Sequence, residues 1–250
     1  MSKKTKVNAA ILIIGNEILS GRTQDTNTST IALWLNSLGV KVGEVRVIPD
    51  IEETIISTVN LLRKNFNYVF TSGGIGPTHD DITSESISKA FNLPYEKHEE
   101  GYKILEAYYK PGEFNDGRQK MIWMPKGAKL ILNPTSGAPG FYVENVFVLP
   151  GVPSILKSML GGIKNKIVGG NPIISHTISL RTFESHIADS LTDVQNKYQD
   201  VEIGSYPFFQ AGKLGVSIVI RSDDQNLINK CSSEVMGFVN DKKIEVVERD

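Results

Sequence analysis

Tyr68-Val69-Phe70-Thr71-Ser72-Gly73-Gly74-Ile75-Gly76-Pro77-Thr78-His79-Asp80-Asp81-Ile82-Thr83 starts as an apolar run, passes through glycines at 73, 74 and 76, and ends on paired aspartates. The apolar run reads as a buried strand, and a helical pattern begins near Asp81. A strand that empties into a glycine loop and then a helix start is where α/β proteins hold phosphates. Bare backbone N–H groups and the positive end of the helix dipole both favour an anion there. Asp80 and Asp81 would repel a phosphate on their own, so a divalent cation between carboxylate and phosphate gives them a purpose. The stretch predicts a metal-assisted phosphate site in an α/β fold.

Working outward, the flanking sequence supplies the rest of such a sheet. Ala9 to Ile14 is continuously apolar, as a parallel strand covered on both faces must be. From Asn27 the spacing turns helical, with Ile31, Trp34, Leu35 and Leu38 on one face and Gly39 as the stop. Val40 to Ile48 reads as a strand ended by Pro49-Asp50. Ile51 to Asn65 is helical with a stripe of Ile55, Val59 and Leu62, and a further helix runs from the glycine loop to about Phe91. This succession predicts a three-layer α/β/α fold around a mostly parallel sheet.

Beyond residue 94 the pattern is less regular. Glu99 to Lys110 is helical, and a charged stretch with Asn115, Arg118, Gln119 and Lys120 follows. Lys129 to Leu132 and Val146 to Leu149 are short strands around the loop Asn133-Pro134-Thr135-Ser136-Gly137-Ala138-Pro139-Gly140-Phe141. Pro150-Gly151-Val152-Pro153 turns the chain into a helix through Leu160. Glycine pairs and Asn171-Pro172 mark a boundary, giving a first domain over residues 1–168. Residues 173–250 form a small α+β domain. Its strands are Ile173 to Leu180, Val201 to Gly204, Leu214 to Arg221 and Lys243 to Val247, and its helices Glu184 to Tyr198 and Asp224 to Val239.

Composition restricts the partners. Of 250 residues, 40% are hydrophobic, ample for a core, and the formal net charge is −1. Residues 1–170 carry 19 Lys/Arg against 16 Asp/Glu and residues 171–250 carry 8 against 12, so neither part has the basic excess of a general nucleic-acid binder. Gly212-Lys213-Leu214-Gly215 formally matches a GxxG nucleic-acid loop, but it lies between two strands in an acidic region and reads as a hairpin turn. The apolar stretch after the basic N-terminus breaks at Gly15-Asn16-Glu17, too short for a membrane span. A single cysteine, Cys231, leaves no internal disulfide and fits a reducing compartment. A soluble cytoplasmic protein with no nucleic-acid or membrane partner is expected.

Gly15-Asn16-Glu17, Pro49-Asp50 and the glycine loop all follow strands. In a parallel α/β sheet, ligands bind outside the carboxyl ends of the strands. Glu17, Asp50, Asp80 and Asp81 therefore face one crevice and suit Mg²⁺ or a similar hard ion, held by one or two of them and by substrate phosphates. The alternative is that Asp80 or Asp81 caps the following helix and Asp50 starts the next one. No second His or Cys lies at zinc spacing from His79, so zinc is not expected.

The glycine loop with its aspartates resembles the signature of the molybdopterin-binding (MoaB/MogA-like) superfamily. Gly15-Asn16-Glu17-Ile18-Leu19-Ser20-Gly21, Asn27, Pro49-Asp50, Pro139-Gly140-Phe141 and Leu149-Pro150-Gly151-Val152-Pro153 support it in order over residues 8–160. Within that superfamily the chain looks most like the amino-terminal region of the CinA type, and it is similar to the molybdopterin-binding-like domain of eukaryotic FAD synthases. Residues 173–240 resemble the small domain that follows in CinA. The resemblance implies a homo-oligomer, dimer or trimer, with a pocket for a nucleotide- or pterin-bearing phosphate compound, molybdopterin among the possible ligands. In cofactor-making relatives the acids matching Asp50 and Asp81 are functional. In CinA-type relatives the scaffold is linked to divalent-metal hydrolysis of dinucleotide pyrophosphates such as ADP-ribose or FAD. CinA often has Asp where Asn16 stands, which removes one potential ligand. The amidase domain of full-length CinA has no counterpart in these residues, so its deamidation of nicotinamide mononucleotide is not carried over.

The resemblance leads to a catalytic set of Asp50, Asp80 and Asp81. Asp81, with Asp80, holds Mg²⁺, Mn²⁺ or Co²⁺, with K⁺ as an additional candidate, while Asp50 or Asp80 orients or deprotonates the water. Gly15, Glu17, Asn27, Gly73, Gly74, Gly76, Thr78, Gly140, Phe141 and Gly151 form the expected binding set. In it, Gly73, Gly74 and Gly76 offer N–H groups and Thr78 a hydroxyl. Gly140-Phe141 and Gly151 make a second wall on which Phe141 stacks against a ring, core packing being the alternative for Phe141. Arg118 and Lys120 are candidates for neutralising developing charge. Two other readings stand beside hydrolysis: an adenylyltransferase of molybdenum-cofactor assembly, and a non-catalytic nucleotide-binding module.

Overall fold

The computed structural model describes residues 7–210 and 212–247. The chain divides into two compact units, Met1–Gly170 and Asn171–Asp250.

In the first unit the elements run β1 (Asn8–Ile14), α1 (Asn16–Leu19), α2 (Asn27–Ser37), β2 (Lys41–Ile48), α3 (Glu52–Asn65), β3 (Tyr68–Ser72), α4 (Thr83–Ala90) and β4 (Tyr95–Lys97). They continue as α5 (Glu99–Tyr108), α6 (Asp116–Lys120), β5 (Trp123–Pro125), β6 (Lys129–Ile131), β7 (Gly140–Val143), β8 (Val146–Leu149) and α7 (Pro153–Ile163). Six strands form one sheet in the order β2-β1-β3-β8-β7-β6. The first four are parallel, and β7 and β6 add an antiparallel edge.

Alternation along β1 explains the three layers. Ala10, Leu12 and Ile14 point into one core with Ile55, Val59 and Leu62 of α3 and Ile87 of α4. Ala9, Ile11 and Ile13 point into the other, against Ile31 and Leu35 of α2 and Leu156, Met159, Leu160 and Ile163 of α7. Period-2 alternation in a strand that is apolar on both faces demands cover on both sides. Each such Ile or Leu contributes roughly 1.5–3 kcal/mol by leaving water. Phe70 of β3 stacks on Phe147 of β8 at a centroid separation of 5.0 Å, and Phe147 on Tyr142 of β7 at 5.1 Å, carrying the second core across three strands.

Four elements, β7, β4, β5 and α6, depart from the sequence expectation. Gly140–Val143 is a strand rather than loop, paired on both sides. Tyr95–Lys97 and Trp123–Pro125 make a two-stranded ribbon too short to show a period. The charged stretch after Asn115 is the helix α6, whose first turn is held by Asn115 Oδ1 accepting from Arg118 N–H at 3.0 Å.

In the second unit β9 (Ile174–Leu180), α8 (Glu184–Lys197), β10 (Glu202–Gln210), β11 (Lys213–Ser222) and α9 (Gln225–Asp241) form an antiparallel sheet ordered β10-β11-β9. Its core joins Ile178, Leu180, Ile218 and Ile220 to Ile187, Val194, Ile228 and Val235. β10 runs well past the expected Gly204 because an edge strand tolerates Pro207, whose missing N–H costs no ladder bond on the open side. Gln210 and Lys213 face each other across a hairpin, which disposes of the GxxG reading. The expected strand Lys243 to Val247 is reduced to one bridge, Leu180 to Val246. Cys231 of α9 is buried, and burial pushes its thiol up to about 11, so it stays protonated at neutral pH. Among the described residues no helix is long and apolar enough to cross a membrane.

Candidate functional site

The chain leaves β1 at Gly15, β2 at Pro49-Asp50, β3 at Gly73 and β8 at Pro150-Gly151, all at the carboxyl edge of the parallel strands. These exits surround a cleft of about 580 Å³. Glu17, Asp50, Gly73, Gly74, Gly76, Asp80, Asp81 and Gly151 line it. These acids and glycines are thus brought together by the topology from positions far apart in the chain.

Tight local geometry builds the glycine loop. Gly73 continues the β3–β8 ladder, its N–H donating to Leu149 O at 3.1 Å. It has φ 110°, and a Cβ there would stand 2.1 Å from Ile14 O. Gly74 has φ 69°, and a Cβ would stand 2.1 Å from Thr83 Oγ1, while Thr83 N–H donates to Gly74 O at 2.9 Å. The loop is therefore pressed onto the start of α4, and only glycine fits. Gly73 N–H is spent on the ladder, contrary to its expected role as an anion donor. The N–H groups of Gly74, Ile75 and Gly76 meet no acceptor among the described residues. They are the donors left for an anion, and Ile75 joins Gly74 and Gly76 through its backbone.

Neither aspartate of the loop caps α4. The helix begins after Ile82 without a side-chain cap, and α3 begins after Ile51 in the same way. Asp81 Oδ2 instead accepts from Thr78 N–H at 2.8 Å and Thr78 Oγ1 at 2.5 Å, closing a turn over Gly76. Asp50 Oδ2 accepts from Asn16 N–H at 2.9 Å and ties the exits of β1 and β2 together. Among the described residues, Oδ1 of each carboxylate accepts no hydrogen bond. Asp80 is exposed, and its carboxyl lies below its ordinary value of 3.8. The Thr78 hydroxyl leads that shift, followed by the Asp80 backbone, with His79 and Lys120 adding charge attraction. The Thr78 hydroxyl has one proton to share, and the geometry gives it to Asp81. Lys120 donates its Nζ to Thr78 O.

Some expected residues serve the site only from behind. Asn27 is buried; its Nδ2 donates to Ser72 Oγ at 2.9 Å and to Gly151 O at 2.7 Å, and Ser72 Oγ donates to Pro150 O at 3.2 Å. It clamps the β3 and β8 exits and does not line the cleft. Gly15 carries the Glu17 carboxylate folded over it, a Cβ there falling 2.5 Å from Glu17 Oε1. Thr78 acts through Asp81. Gly140 and Phe141 are corrections. Phe141 is 1% exposed in the core, and Gly140 allows close pairing with β8, a Cβ there falling 2.4 Å from Val148 O. Neither forms a ligand wall, because the strand β7 turns both inward. Arg118 is engaged with Glu113 and lies 4.1 Å over the Tyr109 ring, while His79 projects into solvent.

Sequence reading missed Asn133, Ser136, Ala138 and Pro139, which also line the cleft, and Met121, Val152 and Ile155, which make part of it apolar. The run of Asn, Pro, Thr, Ser and Gly at 133–137 carried a turn signal, but nothing in it told that the turn lines the same cleft as the glycine loop.

Among the described residues no group of three His, Cys, Asp or Glu converges on one point. A hard cation here would have the adjacent Asp80 and Asp81 as its protein ligands and would need ligand phosphate to complete its shell.

A glycine loop with paired acids, lining a cleft at the carboxyl edge of a mostly parallel, three-layer sheet, defines the class as an α/β protein with its cleft at the strand exits. Residues 10–169 match the family described as probable molybdopterin binding domain, and the chain belongs to that family. Residues 172–248 match the FAD synthase middle domain. A protein of Archaeoglobus fulgidus is 34% identical over 234 residues, covering 93% of this chain and 98% of that one. One of Pyrococcus abyssi is 33% identical over 257 residues, covering 97% and 99%. The crystal structure of CinA from Thermoplasma acidophilum, a protein described as of unknown function, is similar with a TM-score of 0.60 and 31% identity, over 64% of this chain and 99% of that one.

Proposed function

We propose that this protein hydrolyses a dinucleotide pyrophosphate such as ADP-ribose or FAD with the help of a divalent metal. The observation that carries this is the meeting, in one cleft, of the unpartnered N–H groups of Gly74, Ile75 and Gly76 with Asp50, Asp80 and Asp81. The N–H groups bind phosphate oxygens, and Lys120 beside Thr78 adds positive charge. Asp80 and Asp81 Oδ1 would hold Mg²⁺, Mn²⁺ or Co²⁺; when bound, the ion supplies Lewis-acid stabilisation of the developing phosphate charge. Asp50, with Oδ2 fixed by Asn16 N–H, keeps Oδ1 to orient a water and take its proton as the water oxygen attacks phosphorus. The P–O–P bond breaks, giving AMP and the second phosphomonoester. Met121, Val152 and Ile155 offer apolar surface to a ring. The match of residues 172–248 to the FAD synthase middle domain also favours a dinucleotide ligand. Purified protein with each metal should release AMP from ADP-ribose or FAD, and Asp81→Ala should abolish release. No turnover across a panel of dinucleotides would overturn the proposal.

A second reading is favoured by the family description over residues 10–169: a molybdopterin ligand, with adenylyl transfer in place of hydrolysis. It predicts tight molybdopterin binding and AMP attached to it, without free hydrolysis. For either ligand we expect a homodimer or homotrimer, measurable by light scattering.

A further inference from the structure

The segment of the cleft lining at residues 133–139 is held by one buried amide. Asn133 is 8% exposed, and all four of its side-chain hydrogen-bonding positions are used. Oδ1 accepts from Thr135 N–H at 2.9 Å and Ser136 N–H at 3.1 Å, while Nδ2 donates to Ala138 O at 2.8 Å and to Ser136 Oγ at 2.7 Å. Two backbone N–H groups on Oδ1 fix which way round the amide lies. Ser136 Oγ is therefore an acceptor towards Asn133, and its own hydrogen is left for a partner elsewhere. Among the described residues that hydrogen meets no acceptor, and Ser136 lines the cleft. Accepting a hydrogen bond polarises the O–H and strengthens it as a donor. The wall is braced from outside as well. Thr135 Oγ1 donates to Ser158 Oγ at 2.9 Å, and the Tyr108 ring lies against Gly137, where a Cβ would be 2.7 Å from it.

We propose that Ser136 is a ligand-binding residue, donating its hydroxyl proton to a phosphate oxygen held in the cleft, and that Asn133 is the positioning residue that aims it. Gly74, Ile75 and Gly76 with their N–H donors and Ser136 with its O–H line one cleft, a set suited to a group that only accepts. The choice of a diphosphate as ligand rests on the proposed function; the polarity of Ser136 rests on the Asn133 network alone.

The test is calorimetric titration of the full chain with inorganic pyrophosphate and Mg²⁺. Ser136→Ala should weaken binding about tenfold, the loss of one hydrogen bond to a charged group, and Ser136→Thr should restore it. Asn133→Asp still accepts from the two N–H groups but cannot donate to Ser136 Oγ, so it should weaken binding to a similar degree. The double variant Asn133→Asp/Ser136→Ala should bind no worse than Ser136→Ala, because both changes remove the same contact. Unchanged affinity in Ser136→Ala, or losses that add in the double variant, would overturn the assignment. Hydrolysis of ADP-ribose by the same proteins separates the two ideas. A wild type that turns nothing over, yet binds pyrophosphate in a Ser136-dependent way, removes the hydrolase reading alone. Turnover whose KM is unmoved by Ser136→Ala removes the role of Ser136 alone. A wild type that binds no pyrophosphate removes that role too.

Discussion

Replacing Gly74 by alanine tests whether the anion loop is built by close packing onto α4 or merely by a glycine-compatible backbone. Gly74 and Gly21 have nearly the same φ, 69° and 72°, yet a Cβ at Gly21 meets nothing within 4 Å while one at Gly74 falls 2.1 Å from Thr83 Oγ1. Gly21→Ala therefore isolates the left-handed backbone cost, about 1 kcal/mol. Gly74→Ala carries the same cost and must also move Thr83, which is fully buried and donates its N–H to Gly74 O at 2.9 Å. Overpacking of that kind costs about 1–3 kcal/mol, and loss of the hydrogen bond about 1 kcal/mol more. The total is about 4 kcal/mol, which lowers the melting temperature of a domain this size by about 8–16 °C, against about 2–4 °C for Gly21→Ala. Thermal unfolding of both variants followed by circular dichroism measures the difference. Equal shifts would refute the packing argument and leave only backbone conformation.

Other outcomes follow from the carboxylates and the lysine. Asp50→Asn keeps an acceptor for Asn16 N–H, so the melting temperature should stay within about 2 °C of wild type while kcat for pyrophosphate hydrolysis falls about 10²–10⁴-fold; an unaltered kcat would remove Asp50 as the base. Lys120→Met should weaken pyrophosphate binding and flatten its salt dependence, since a cation beside the anion loop is lost; titrations at two ionic strengths read both. The Asp80 carboxyl is held below its ordinary value. A group whose folded value is depressed gives its contribution in full above the unfolded value and loses it as pH falls through the folded one. Folding stability should therefore owe no pH dependence to Asp80 above its unfolded value, about pH 4. An acid limb in melting temperature at higher pH that disappears in Asp80→Asn would contradict this.

How far the site could be read in advance depended on whether the signal was local. Gly73 to Thr83 announced itself because strand, glycine and acid are adjacent, and Asp50 because Pro49 ends a strand. Phe141 failed because an aromatic beside a glycine looks the same whether its strand turns it to a cleft or to a core. Ser136 was passed over because its importance lies in what it faces.

The sequence by itself determined the layers. Strands apolar on both faces, alternating with helices striped at Ile55, Val59 and Leu62, can hide their surface only between two helical layers. It also determined that the glycine loop would sit at a strand exit. Only the tertiary structure decided which donors remain for a ligand. Sheet pairing takes the N–H of Gly73, the turn over Gly76 takes Thr78, and the N–H groups of Gly74 to Gly76 meet no acceptor among the described residues, in a cleft that the Ser136 side chain also lines. Those are long-range hydrogen-bond choices, set by which strand exits meet, and no local pattern in the chain records them.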